Sequence, residues 1–288
     1  MDIDKLVGYN FNIVREKKLT EKIVLIMKAI VRSVISSYDV DNNIDLTTNF
    51  VFFKSQERKD YNELFESIYD TCNHKKYKLK IYKKNKINFI FIKNCIKNFD
   101  LLYIFISRYE FMNGIYIYLK VIDDFIILNI IKNIKFKNLV VFSDVHPLDN
   151  LLVQYCNYKG VNTVTLQHGL YIDYKNEQNI NKLNYIDVPS KYVLVWGESS
   201  QKLFEKYNEN IKPIICGKLT VKENNVYDLN KNAGYIGVIF DIPKYKKYNQ
   251  VLLDIGCNLA LKRGRKIKLR IHPTDDIDNY TIDKNIVS

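Results

Sequence analysis

The chain has 288 residues, 47% hydrophobic and 26% charged, which excludes a disordered chain and allows one large or two modest cores. Lysine and arginine outnumber aspartate and glutamate by 44 to 32, a net charge of +12, which favours anionic partners (nucleotides, phosphorylated lipids, membrane surfaces or nucleic acid) without choosing among them. Five single cysteines, Cys72, Cys95, Cys156, Cys216 and Cys257, form no C-x-x-C pair; they exclude a disulfide framework and read as reduced cytoplasmic thiols.

The first segment, MDIDKLVGYNFNIVREKK, lacks the basic, apolar and small-residue order of a secretory signal, so a cytoplasmic protein is expected. Residues 1–70 read as helical, with Thr20 as N-cap of one helix and a second helix over 60–70. Two apolar stretches, 23–36 and 101–134, are broken by charges and fall short of the roughly 18 uncharged residues of a membrane span. They read as core-facing helices, the alternative being that one lies in a membrane interface. Between them, residues 74–98 carry nine lysines and no acid, in two strand-like runs, YKLKIYKK and INFIFIK, read as a solvated strand face.

Repeated strand, loop and helix follow. Strands are expected over 139–143, 162–167, 192–196 and 213–216, with helices started by Pro147 and by Ser199 or Ser200, and with Gly160, Gly197 and Gly217 as breaks. Short apolar strands separated by single helices predict a parallel, doubly wound α/β sheet with function at the carboxyl ends of its strands. Residues 1–217 are thus one α/β domain and the polar stretch 218–233 a linker. Residues 234–288 hold a further βαβ unit: a strand over 234–242, a helix ending at Gly264 and a strand over 266–273. A Rossmann-like domain needs about 100 residues and four strands, so this second one is expected to be incomplete, with exposed apolar faces.

The sharpest chemical signal is TLQHGLY at 165–171, a His-Gly pair at the end of an apolar strand. His168, with a reference pKa of ~6.5, is placed to take a proton from an attacking hydroxyl, and Gly169 to let the backbone approach a ligand or adopt positive φ. The second is KIKLRIHPTDD at 266–276, where Lys266, Lys268 and Arg270 make one strand face cationic and His272, Pro273 and Thr274 form a turn suited to phosphate. Gly197 and Ser199 stand at a strand-to-helix corner whose free N–H groups can receive an anion, although Glu198 opposes one. Asp144, His146 and Asp149, two carboxylates and one His at short spacing, are weak evidence for a metal centre, since Asp144 is equally a turn or cap residue before a helix started by proline. No G-x-G-x-x-G or Walker loop is present, so neither NAD-type nor P-loop chemistry is supported.

Taken in order, TLQHG, VLVWGESS, IICGK and RIHPTDD resemble a group of GT-B-fold enzymes. These are the capsular polysaccharide glycosyltransferases, the CDP-glycerol glycerophosphotransferases and the bacterial polysialyltransferases. The resemblance covers residues 138–276 and implies two Rossmann-like domains. It implies His168 as general base on the acceptor side, His272 and Thr274 on the donor's nucleotide phosphate, and inverting transfer to a saccharide or lipid-linked acceptor without a metal or other cofactor. Family members continue well beyond the His-Pro motif, so a truncated product of low activity is one expectation. The basic run at 74–98 would hold such an enzyme against an anionic membrane surface. Other readings stay open: glycerophosphate transfer, a non-catalytic assembly subunit, and nucleic-acid binding through the basic run.

Overall fold

A computed structural model of the chain describes residues 1–40, 49–173, 180–218, 234–240, 243–272, 275–283 and 285–287. They form two compact units, Met1–Lys222 and Glu223–Ser288. Most of the linker expected over 218–233 lies outside the described residues, as do Pro273 and Thr274.

The first unit opens with α1 (Ile3–Val14) and α2 (Leu19–Val34), followed by β1 (Ser36–Val40), β2 (Phe50–Phe53), α3 (Lys59–Thr71), β3 (Lys76–Lys78) and β4 (Ile81–Asn85). Three helices come next: α4 (Phe89–Lys97), α5 (Phe99–Tyr109) and α6 (Phe111–Ile131). The alternating part comprises β5 (Asn138–Val141), α7 (Pro147–Tyr158), β6 (Asn162–Leu166), α8 (Leu183–Ile186), β7 (Tyr192–Val195), α9 (Glu198–Tyr207) and β8 (Lys212–Ile215).

Six strands make one sheet in the order β3-β2-β5-β6-β7-β8, with every neighbouring pair parallel. The chain lays β3 on one side of β2 and then adds β5 to β8 on the other, so the winding direction reverses between β2 and β5. In open parallel sheets such a reversal leaves a crevice outside the carboxyl ends of the two strands. The sheet is buried by apolar residues on both faces: Phe52, Phe142 and Leu166 with Phe65 of α3 on one, and Val51, Leu139 and Val141 with Leu152 and Val153 of α7 on the other.

The alternating strands and Pro147 at the first position of α7 agree with the sequence reading. Gly160 and Gly217 close their elements with φ of 76° and 73°, conformations that favour glycine. The first 70 residues do not. They include β1 and β2, and β2 is an interior strand of the sheet, between β3 and β5. The residue before the first turn of α2 is Lys18, whose backbone N–H donates to Glu21 Oε2 at 2.9 Å, so Thr20 sits inside the helix. The run INFIFIK is not a strand: α4 begins at Phe89, capped by Asn88, whose Oδ1 accepts from Phe91 N. Apolar alternation in a short run suits a helix when one side chain, here Phe91, reaches the core and its neighbours face outward. Ahead of it, β4 pairs antiparallel with β1.

Helix α6 is the centre of the helical layer, with Ile117 and Ile122 fully buried and α1, α2, α4 and α5 packed on it. A Cβ on Gly114 would lie 2.6 Å from the Ile106 backbone nitrogen, so the absence of a side chain lets α5 and α6 cross closely. Helix α2 departs from a purely core-facing reading, because Ile23, Val24, Met27 and Val31 remain exposed. Among the described residues no helix is long and apolar enough to cross a membrane.

The second unit holds β9 (Tyr235–Ile239), α10 (Lys246–Lys262) and β10 (Lys266–Arg270), with β9 and β10 parallel. Its core joins Val238, Phe240, Leu253, Ala260, Ile267 and Tyr280. Ile239, Val251 and Ile255 are exposed, as expected of a sheet with two strands.

Candidate functional site

The carboxyl ends of the parallel strands collect most of the polar chemistry of the first unit. His168 follows β6, half-buried, with its ring edge-on to Tyr61 and Tyr171 and tilted against Phe142. The Tyr171 hydroxyl lies 3.2 Å from His168 Nδ1. Burial holds the Tyr171 hydroxyl in its neutral form well beyond the usual range of a phenol. When Nδ1 carries the imidazole proton and donates to the Tyr171 oxygen, Nε2 is left as the acceptor, which is the tautomer a base requires.

Gln167, buried beside it, holds two loops together. Its Nε2 donates to the Gly169 carbonyl at 2.8 Å and its Oε1 accepts from the Trp196 N–H at 2.7 Å, tying the loop after β6 to the loop after β7. Gly169 has no positive φ, and an added Cβ would meet nothing within 4 Å; its contribution is open space beside His168. Gly197 is the N-cap of α9 with extended backbone, and Glu198, Ser199 and Ser200 form the first turn, so neither serine caps the helix. Glu198 and Ser199 are exposed there.

Asp144 and Asp149, weighed above as metal ligands, have structural partners instead. Asp144 Oδ2 accepts from the Ser190 N–H at 3.0 Å, which ties the loop after β5 to the approach of β7. Burial pushes its carboxyl up to about 6 against those hydrogen bonds. Asp149 accepts from the Ser55 hydroxyl, which joins α7 to the loop after β2. Among the described residues no group of three His, Cys, Asp or Glu is placed to hold a metal ion.

The winding reversal carries a feature that sequence reasoning missed. A cavity of about 790 Å³ lies there, lined by Lys54, Ser55 and Gln56 after β2 and by His146 and Pro147 after β5. Residues from α1, α6 and the β3–β4 segment complete it, among them Asn10, Asp123, Asp124 and Lys80. Burial pushes the Asp124 carboxyl up to about 7, against the nearby charge of Lys120. Burial, with the charge of Arg58, holds His146 down at about 4. The signal available was the Asp123-Asp124 pair, two adjacent acids inside a largely apolar helix, where charge is rare without a reason.

In the second unit, Lys266, Lys268 and Arg270 of β10 are exposed while Ile267 is buried, the alternation the sequence predicts. Lys268 lies over the Tyr235 ring at 4.2 Å. His272 follows the strand, half-buried, and its carbonyl accepts from the Asp275 N–H at 2.9 Å. Arg270 and His272 thus share one strand end, in the second unit, while His168, Gly169, Gly197 and Ser199 belong to the first.

Set against protein-family models, curated proteins and solved structures, the chain matches none of them.

Proposed function

We propose that the chain is a glycosyltransferase that moves a sugar from a nucleotide-activated donor to a hydroxyl of a saccharide or lipid-linked acceptor of a bacterial surface polysaccharide. The observation that carries this reading is the setting of His168. It lies at the carboxyl end of a central strand of a doubly wound parallel sheet, half-exposed, with Tyr171 on Nδ1 and open space at Gly169. In the proposed step His168 Nε2 takes the acceptor hydroxyl proton as its oxygen bonds to the anomeric carbon. The bond from that carbon to the nucleotide phosphate breaks, and the leaving phosphate keeps the electron pair. In the second unit, exposed Arg270 and half-buried His272 at the end of β10 offer donors to a nucleotide phosphate. Transfer of a glycerol phosphate unit would use the same base and the same phosphate clamp, so the identity of the donor decides between the two.

The surface of the helical layer supports work at an anionic membrane. Phe89, Ile90 and Ile96 of α4 are exposed, as are Ile23, Val24 and Met27 of α2. Lys93 and Lys97 stand among them on α4, with Lys83 on β4. Apolar side chains edged by lysines are the pattern of a surface that lies on charged lipid.

The deciding experiment is a thermal-shift panel of CMP-, CDP-, UDP-, GDP- and TDP-linked donors, run on the chain and on His272→Ala. A shift for one nucleotide class that disappears in the variant supports the reading and selects sugar or glycerol phosphate for the transfer assay. No shift with any donor rejects it.

A further inference from the structure

The cavity at the winding reversal is built differently from the surroundings of His168. Four of the residues that line it each carry a buried side-chain atom without a hydrogen-bond partner: Asn10 Nδ2, Asp123 Oδ1, Asp124 Oδ2 and His146 Nδ1. Asn10 and Asp123 are each 3% exposed and Asp124 is 7% exposed. Buried polar groups are nearly always paired in folded proteins, so four unpaired ones around one space mark a place where a polar molecule supplies the missing partners. They offer one donor, two carboxylate acceptors and an imidazole nitrogen, the mixture that hydroxyl groups satisfy because each hydroxyl both donates and accepts. Burial disfavours the charged form of the Asp124 carboxyl, and in its protonated form that carboxyl donates as well as accepts.

The outer lining has the opposite character. Lys54 is paired with Glu57, and Lys78 with Glu66, while Arg32, Lys80, Lys83 and Lys120 add four further cations. Arg32, Lys80 and Lys83 are exposed. A ligand whose hydroxyls reach the buried carboxylates and whose anionic end stays among these cations satisfies both regions. The volume is in the range of small-molecule sites.

We propose that this cavity binds a phosphorylated sugar of hexose size, with its hydroxyls on Asn10, Asp123, Asp124 and His146 and its phosphate among Lys80, Lys83 and Lys120. His168 is not among its lining residues, and the inference does not rest on the transferase reading.

The test is isothermal titration calorimetry on the full chain with glucose 6-phosphate and glucose 1-phosphate, against glucose and inorganic phosphate. Either hexose phosphate is expected to bind about ten-fold or more tightly than glucose and than inorganic phosphate, because each control satisfies only one region. Asp124→Asn, close to the native shape, and Lys80→Ala, at an exposed position, are each expected to weaken binding about ten-fold with the fold intact by circular dichroism. His168→Ala and His272→Ala are expected to bind as the unmodified chain does. Absence of binding by both hexose phosphates overturns the proposal. So does equal affinity for inorganic phosphate, which would mean a surface anion site, or binding that survives both Asp124→Asn and Lys80→Ala.

Discussion

Tyr38 of β1 donates its hydroxyl hydrogen to Asp123 Oδ2 of α6 at 2.8 Å, pinning the β1–β4 pair to the central helix beside Asp124. Asp123 is buried and its other oxygen has no partner. Tyr38→Phe removes this donor and leaves a buried carboxylate less satisfied, so a loss of about 1–3 kcal/mol is expected in urea unfolding. Asp123→Asn in the same background should restore part of it, since a neutral amide costs less to bury than a charge.

Asp124 gives a signed pH dependence. Its folded-state carboxyl lies near 7, above the 3.8 of an exposed aspartate, because burial disfavours its charge. Between those values the folded chain binds more protons than the unfolded one, so this group lowers stability as pH rises from about 4 to 7. Asp124→Asn should therefore raise the midpoint of thermal unfolding at pH 8 relative to the unmodified chain and leave it nearly unchanged at pH 4. Equal effects at both pH values would contradict the assignment.

The contact between Tyr171 and His168 is open to direct inspection by nitrogen NMR. With a proton on His168 Nδ1, the two ring nitrogens give the separated shifts of a single neutral tautomer. Tyr171→Phe should collapse them toward an average. On the proposed transferase reading, in which His168 would be the base and the Tyr171 hydroxyl would orient it, the same variant should lower kcat about 10-fold or more with little change in KM.

Charge reversal can examine the proposed membrane surface, provided the lysines are chosen by their contacts. Lys76 donates to the Tyr69 carbonyl at the end of α3, and Lys84 is paired with Asp39, so reversing either disturbs local structure. The combination Lys93→Glu and Lys97→Glu should reduce sedimentation with phosphatidylglycerol vesicles several-fold and leave neutral vesicles unaffected. Unchanged sedimentation with the anionic vesicles would remove the membrane assignment.

Gly114 offers a packing test. Gly114→Ala places a methyl 2.6 Å from backbone that cannot yield cheaply, and an overpacking loss of about 1–3 kcal/mol is expected in denaturant unfolding.

The strands β5 to β8 were legible in the sequence because each is a short, mostly apolar run closed by glycine or proline, and β5 to β7 are each followed by a helix. The interior strand β2 was not. FVFF has four residues, no turn signal of its own, and lies among helical patterns, and its pairing with β3 on one side and β5 on the other makes it a strand. Missing β2 also hid the winding reversal, and with it the cavity, because Lys54 and Ser55 acquire meaning only as the residues after an interior strand. His168 and Arg270 were legible for the converse reason, each standing at the end of a run whose period is clear. The partner of His168 was visible in the same heptapeptide, but Tyr171 declares its role only through a fold that brings it back to Nδ1.

The register that sets Val51 against Leu139 also imposes an order of events during synthesis. A ribosome releases β2 long before β5 exists, with the whole of α3 to α6 between them. Until β5 emerges, one side of β2 is an unpaired apolar edge, and closing so distant a parallel contact is slow. Helices α4 to α6, whose contacts are local, can assemble first. The nascent chain is then most exposed to aggregation in the interval between completion of α6 and arrival of β5.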